Sequence, residues 1–314
     1  MGRCRLTPYF SGFLVVPFYG KEPTINHSTL SRVSATVVLF LSSAAVSITL
    51  GTTAPEASGS TVNCHAVPHE GVDFAGCNFN GRDLGGADLR DANLRGTNFH
   101  DANLKDAQLS GANLFRTDLE GAQMSGANLN DVISGSLKGI PILPADWNLV
   151  SGYLVGPNAD LKNAQFSGAN LFDSDLLNAQ MSGANLTSVT SGSVTGTPVL
   201  PIGWKLIDGY LIGPGAYLNN AMLAGARLSH VDLAGANLIR AQLSNASLIG
   251  ANLSGATLNG ADLSAADLSG ANLLGAIVIG ATTTNALTNG ATVCPGGELG
   301  PCNASWLFLK GAPA

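Results

Sequence analysis

Chemistry-bearing side chains are scarce in this chain, and the densest group of them is Cys64-His65, His69-Glu70 and Cys77. These are metal-ligand types, but their spacing matches no standard zinc pattern. The competing reading is that the cysteines pair and the histidines are exposed bystanders. His100 and His230 stand apart from that group, and none of these histidines lies in a nucleophile-elbow context. The chain has no P-loop and no dinucleotide fingerprint. Asp83, Asp88, Asp118, Asp232, Asp262 and Asp267 all fall at one position of a short repeat. Carboxylates recurring in that way read as a solvated surface row, because a convex surface offers no water-excluding cleft for a catalytic pair. No catalytic, cofactor or metal residue is assigned, and the chain is read as non-enzymatic.

The repeat that carries those aspartates is plainest in ANLSGATLNGADLSAADLSG, residues 251–270. Leu253, Leu258, Leu263 and Leu268 return every fifth residue, each with an alanine two places earlier. On an α-helix a step of five turns about 500°, so no apolar stripe forms. On a straight strand a step of five sends successive leucines to opposite faces. A corner once per repeat resolves both failures. Ala and Leu then share the inner face of a short extended side, the Asp or Asn between them points out, and Ser-Gly turns the corner. Four sides close a square coil of twenty residues, and coils stacked about 4.8 Å apart satisfy one another's backbone groups. No side buries its apolar face alone, so stability comes from stacking. A charge at Leu258 should therefore be destructive, whereas a change at the corner residue Asn259 should matter little.

ADLRDANLRG (87–96) and ANLSGATLNG (251–260) resemble the pentapeptide-repeat family, and the likeness runs from Val72 to about Thr292. It implies an all-β fold, a right-handed quadrilateral β-helix. The rhythm covers 72–131, 159–188 and 216–295, degenerating at the end. A leader (1–57) and an N-terminal cap (58–71) precede it, and a C-terminal cap (296–314) follows.

Two stretches, 132–158 and 189–215, interrupt the rhythm. SGSLKGIPILPADWNLVSGYLVGP (134–157) and SGSVTGTPVLPIGWKLIDGYLIGP (191–214) are copies at an offset of 57 residues. Each has a proline pair, a tryptophan (Trp147, Trp204) and a Gly-Tyr-Leu turn (Tyr153, Tyr210). One reading makes the aromatics tips of projecting binding loops. The favoured one folds them back over the flank of the adjacent coil, with a short strand rejoining the sheet.

Residues 33–50, VSATVVLFLSSAAVSITL, follow Arg32 and precede the small-residue run TTAPEASGS. That order fits a secretory signal peptide cleaved between Ala54 and Ser60, the alternative being an uncleaved membrane anchor. Residues 1–30 are long for such a leader, so Leu30 or Val33 is a candidate translation start. Cys64, Cys77, Cys294 and Cys302 bracket the repeats in two pairs. Of three possible connectivities, only 64–77 with 294–302 avoids joining opposite ends of a rod, and it would staple both ends.

The net charge of −6 gives no reason to expect a nucleic-acid-binding face. Residues 72–131 carry nine acids against five bases, while 216–290 carry three acids and two bases. The expected function is a secreted or cell-surface scaffold that binds an unknown protein or envelope component. The alternative, implied by family members that protect gyrase, is a DNA-mimic inhibitor of a DNA-binding enzyme. That mechanism requires a cytoplasmic rod that is negative along its length. The apolar tail WLFLK (306–310) offers a cap for the last coil or a homodimer contact there.

Overall fold

A computed structural model describes residues 62–302, together with the backbone of strands β1 (Val37–Leu41) and β2 (Ala44–Ile48). Contacts divide the chain into Met1–Thr61 and Val62–Ala314. In the first unit β1 and β2 pair antiparallel, with Val37 opposite Ile48. The leader, its cleavage site and the tail otherwise lie outside the described residues. No helix among the described residues is long and apolar enough to cross a membrane.

The second unit is a right-handed quadrilateral β-helix. Parallel bridges join residues twenty apart, and four rows of them make four sides. Side one stacks Asp73, Asn93 and Asn113; side two Asn78, Asn98 and Asp118; side three Asp83, Asn103 and Gln123; side four Asp88, Gln108 and Asn128. A typical bridge uses the backbone in both directions, as where Phe74 N donates to Asn93 O and Asn93 N donates to Val72 O, both at 2.9 Å.

Corners follow from local chemistry. Cys77 N donates to Phe74 O at 3.0 Å across a turn whose third residue, Gly76, has φ 70°. This is the type II pattern, which favours glycine or asparagine at that place. Non-glycine residues that take the same corner conformation include Asp91, Asp101, Asn163 and Asn245, whose short polar side chains tolerate it. The outward Asp or Asn adds a second restraint: Asp73 Oδ1 accepts from Ala75 N at 3.1 Å, an arrangement repeated along the coil.

Inside, leucine stacks on leucine. Leu253, Leu258, Leu263 and Leu268 are fully buried, as are Ala251, Ala256, Ala261 and Ala266 beside them. At the N-terminal end the stack is aromatic, with Phe79 face to face on Phe99 at 5.6 Å and edge-on to Phe74 at 4.9 Å. Where threonine replaces the inner alanine, its hydroxyl finds a carbonyl: Thr97 donates to Phe74 O at 2.8 Å and Thr117 to Leu94 O at 2.7 Å. These two buried hydroxyls are thereby satisfied.

The interrupting stretches are placed differently from the expectation. Their first halves continue the coil, since Lys138 bridges Asp118 and Ile142 bridges Gln123. Only the second halves leave it. β3 (Asn148–Val150) and β4 (Tyr153–Val155) form an antiparallel hairpin, as do β5 (Lys205–Ile207) and β6 (Tyr210–Ile212). So the strand that was expected to rejoin the sheet pairs with its own neighbour instead. The first hairpin stands where side four would be, because the coil resumes on side one with Ile133 bridging Asp160. The second stands where side two would be, because Gln180 bridges Val199 on side one and Thr190 then bridges Tyr217 on side three. The two copies therefore occupy opposite sides of the square.

Candidate interaction surface

The hairpin aromatics are structural parts before they are surface. Trp147 packs against the core segments on both sides of the first hairpin, and Trp204 does the same at the second. A side chain on Gly156 would run into the Trp147 ring, and one on Gly213 into Trp204. Each Trp thus plugs the joint where the leucine stack is broken. Tyr153 OH accepts from Gln165 N at 3.2 Å and Tyr210 OH from Met222 N at 3.0 Å, which ties each hairpin to a later side. Ser134 and Ser191, both buried, accept from Leu154 N and Leu211 N through their hydroxyls. All four aromatics are half-buried.

What the inserts expose is aliphatic: Ile140 and Ile142 on the first copy, Val199 and Ile202 on the second. Beside β5 lies a groove of about 620 Å³, lined by Pro198, Leu200, Trp204, Lys205, Leu206 and Ile207. Residue types alone gave no signal for these side chains, since isoleucine in an irregular stretch reads equally well as core.

The sides themselves present polar ladders. Asn93 donates to Asp73 at 2.9 Å, Asn103 to Asp83 at 2.7 Å, and Asn252 to Asp232 at 3.0 Å, each through Nδ2 across one coil step. The repeated aspartates are thus engaged in ladders and turn caps. Asp88 is held furthest from ordinary behaviour. Arg90 grips it with two hydrogen bonds of 2.9 and 2.8 Å, and the same guanidinium reaches Glu70 at 3.0 Å. The Arg90 side-chain hydrogen bond brings the Asp88 carboxyl down to about 2, and that carboxylate in turn raises Arg90. Asp262 is lowered by hydrogen bonds from Ser264. One corner of the N-terminal coils differs in kind: the guanidiniums of Arg95 and Arg116 stand 4.8 and 5.2 Å from the centre of the Phe115 ring.

Both ends are closed covalently. Cys77 replaces an inner alanine of the first coil and bonds Cys64; Cys294 sits at an inner leucine position of the last coil and bonds Cys302. Each buried sulfur reaches a cysteine beyond the repeats, where no further coil stacks. The thiols that a metal site near His65 and His69 would need are spent in the first of these bonds. His65 N donates to Asn63 Oδ1, and His69 Nδ1 lies 2.9 Å from Glu70 O.

The repeat model described as pentapeptide repeats matches in eight copies, over 73–107, 92–131, 158–187, 215–248 and 246–282. The chain belongs to the pentapeptide-repeat family. The matched segments skip both hairpins, in keeping with the bridges above. Among solved structures this pentapeptide-repeat chain is similar to HetL, involved in heterocyst differentiation regulation in the cyanobacterium Nostoc (28% identity, 74% of this chain and 92% of that one, TM-score 0.24). It is also similar to QnrB1, a plasmid-mediated fluoroquinolone resistance protein (17% identity, 71% and 93%, TM-score 0.17). A third is a pentapeptide-repeat protein of the Arabidopsis thaliana thylakoid lumen (24% identity, 45% and 77%, TM-score 0.16). No curated protein sequence matches the chain. Family membership rests on the repeat match.

Proposed function

We propose that this pentapeptide-repeat protein is a non-enzymatic scaffold exported to the extracellular space or the cell envelope. There it binds a protein or envelope component through the rigid outer ladders of its N-terminal coils and the aliphatic flanks of its inserts. The observation that carries this reading is the pair of disulfides at the two ends, since such bonds persist in oxidising compartments. The ladders support it as well, because their polar groups bond one another and leave a preorganised surface. A homodimer through the last coil fits the exposure of Leu274, Ile277 and Ile279 there.

The DNA-mimic alternative is less well supported. Arg82, Arg90, Arg95, Lys105 and Arg116 interrupt the acids of 72–131, and 216–290 is nearly neutral. Capture from envelope and culture fractions with the oxidised protein should enrich a partner that is lost when Ile142 and Ile202 are both changed to Asp. Retention by the double variant would remove the insert flanks from the interface. Inhibition or protection of gyrase by the purified protein would favour the DNA mimic.

A further inference from the structure

The two insert copies share one seating device but differ in the charge beside it. In each, a glycine lies between a coil phenylalanine and the hairpin tyrosine. A Cβ on Gly135 would stand 3.1 Å from Tyr153 and 3.2 Å from Phe115, and one on Gly192 would meet Phe172 and Tyr210. Phe115 and Phe172 thus do the same mechanical work, yet only Phe115 carries cations. Arg116 follows it in the chain, whereas Asp173 follows Phe172, and the Phe172 side chain is left 52% exposed. Seating a hairpin therefore does not require the arginines.

Among the described residues neither Arg95 nor Arg116 makes an ion pair. The nearest acid along the chain, Asp118, accepts from Glu120 N at 3.1 Å at its own turn. Arg116 also holds a left-handed backbone, φ 62°, as Arg240 does at φ 56°, at a position this chain otherwise gives mostly to Gly, Asp and Asn. The two guanidiniums lie 4.8 and 5.2 Å from one ring centre, and each fork still has its N–H donors to offer.

We propose that Arg95, Phe115 and Arg116 form an oxyanion-binding corner that takes a phosphate group. A dianionic phosphate has enough acceptor oxygens for both forks, while a carboxylate is matched by one. The test is a titration of the full oxidised protein with inorganic phosphate, followed by NMR of the arginine Nε–H signals. Sodium chloride at equal ionic strength and sodium acetate are run in parallel. Saturable shifts of Arg95 and Arg116 together, with phosphate only, are the expected result. Arg116→Asp installs the residue of the second copy, so the fold should hold and the melting temperature should be unchanged. Its phosphate response should weaken at least about tenfold. Arg95→Gln is a second variant that leaves the corner backbone untouched, and it should weaken binding likewise. Equal shifts with chloride would mean screening alone, and equal saturation by acetate would remove phosphate selectivity; either overturns the proposal. No partner protein enters this measurement, so it can fail while the scaffold reading stands.

Discussion

At Leu258 the inside of the coil is fully dry, and nothing nearby could pair with a charge. Leu258→Asp should unfold the neighbouring coils or cost at least about 4 kcal/mol in denaturant melts. Asn259, expected to be indifferent, accepts from Ile279 N at 3.1 Å, so Asn259→Ala should cost about 1 kcal/mol. Equal tolerance of the two changes would reverse the inside–outside assignment. A corner aspartate constrains the coil above it in the same way. The Asp101 carboxylate lies across Gly121, where φ is 67°, while the space around Gly225, at φ 71°, is open. Gly225→Ala should lose about 1 kcal/mol from backbone strain alone. Gly121→Ala should lose more, and the excess should vanish when Asp101→Gly is added. An excess that survives the double change would mean that the carboxylate is not the obstacle. Asp88 gives a pH signature. Its folded pKa, about 2, lies below the ordinary carboxylate range, so folding favours the ionised form. Stabilisation by that carboxylate is complete above about pH 4 and fades as pH falls towards 2. An NMR titration of Asp88 should show this midpoint, and Arg90→Ala should return it to the ordinary range.

At the scale of elements, the five-residue side was readable because each position has its own chemical requirement: small inside, large inside, polar outside, and a corner that prefers glycine. Cysteine pairing was readable too, since two cysteines flank each end of the stack. The hairpins were not. Ile142 joins side three nineteen residues after Gln123, a slip that hides the continuing coil from any search for a period of five. Trp147 and Trp204 were ambiguous for a different reason. A tryptophan flanked by prolines and glycines is common both to binding loops and to plugs, and only its contacts with two core segments decide between them. Gly156→Ala, which pushes on Trp147, should cost roughly 1–3 kcal/mol. The loss should appear as faster hydrogen exchange on both sides of the joint, and exchange confined to one side would deny the plug its bridging role.

For the whole molecule, the 57-residue duplication spans two and a half coils, which is why its copies face opposite ways. On the proposed scaffold reading, a partner that gripped one insert flank would leave the other free for a second. Each disulfide fixes a stack end that would otherwise fray, a contribution of about 2–4 kcal/mol. On the export reading stability and destination are linked, because such bonds persist in oxidising compartments. The most direct measurement is mass spectrometry of the protein recovered from cell fractions of its native host, with thiol labelling before and after reduction. The expected result is a chain in the extracellular or envelope fraction that begins between residues 55 and 61. Cys64, Cys77, Cys294 and Cys302 should be labelled only after reduction. A chain in the cytoplasm that keeps its leader, with those four cysteines labelled at once, would contradict export.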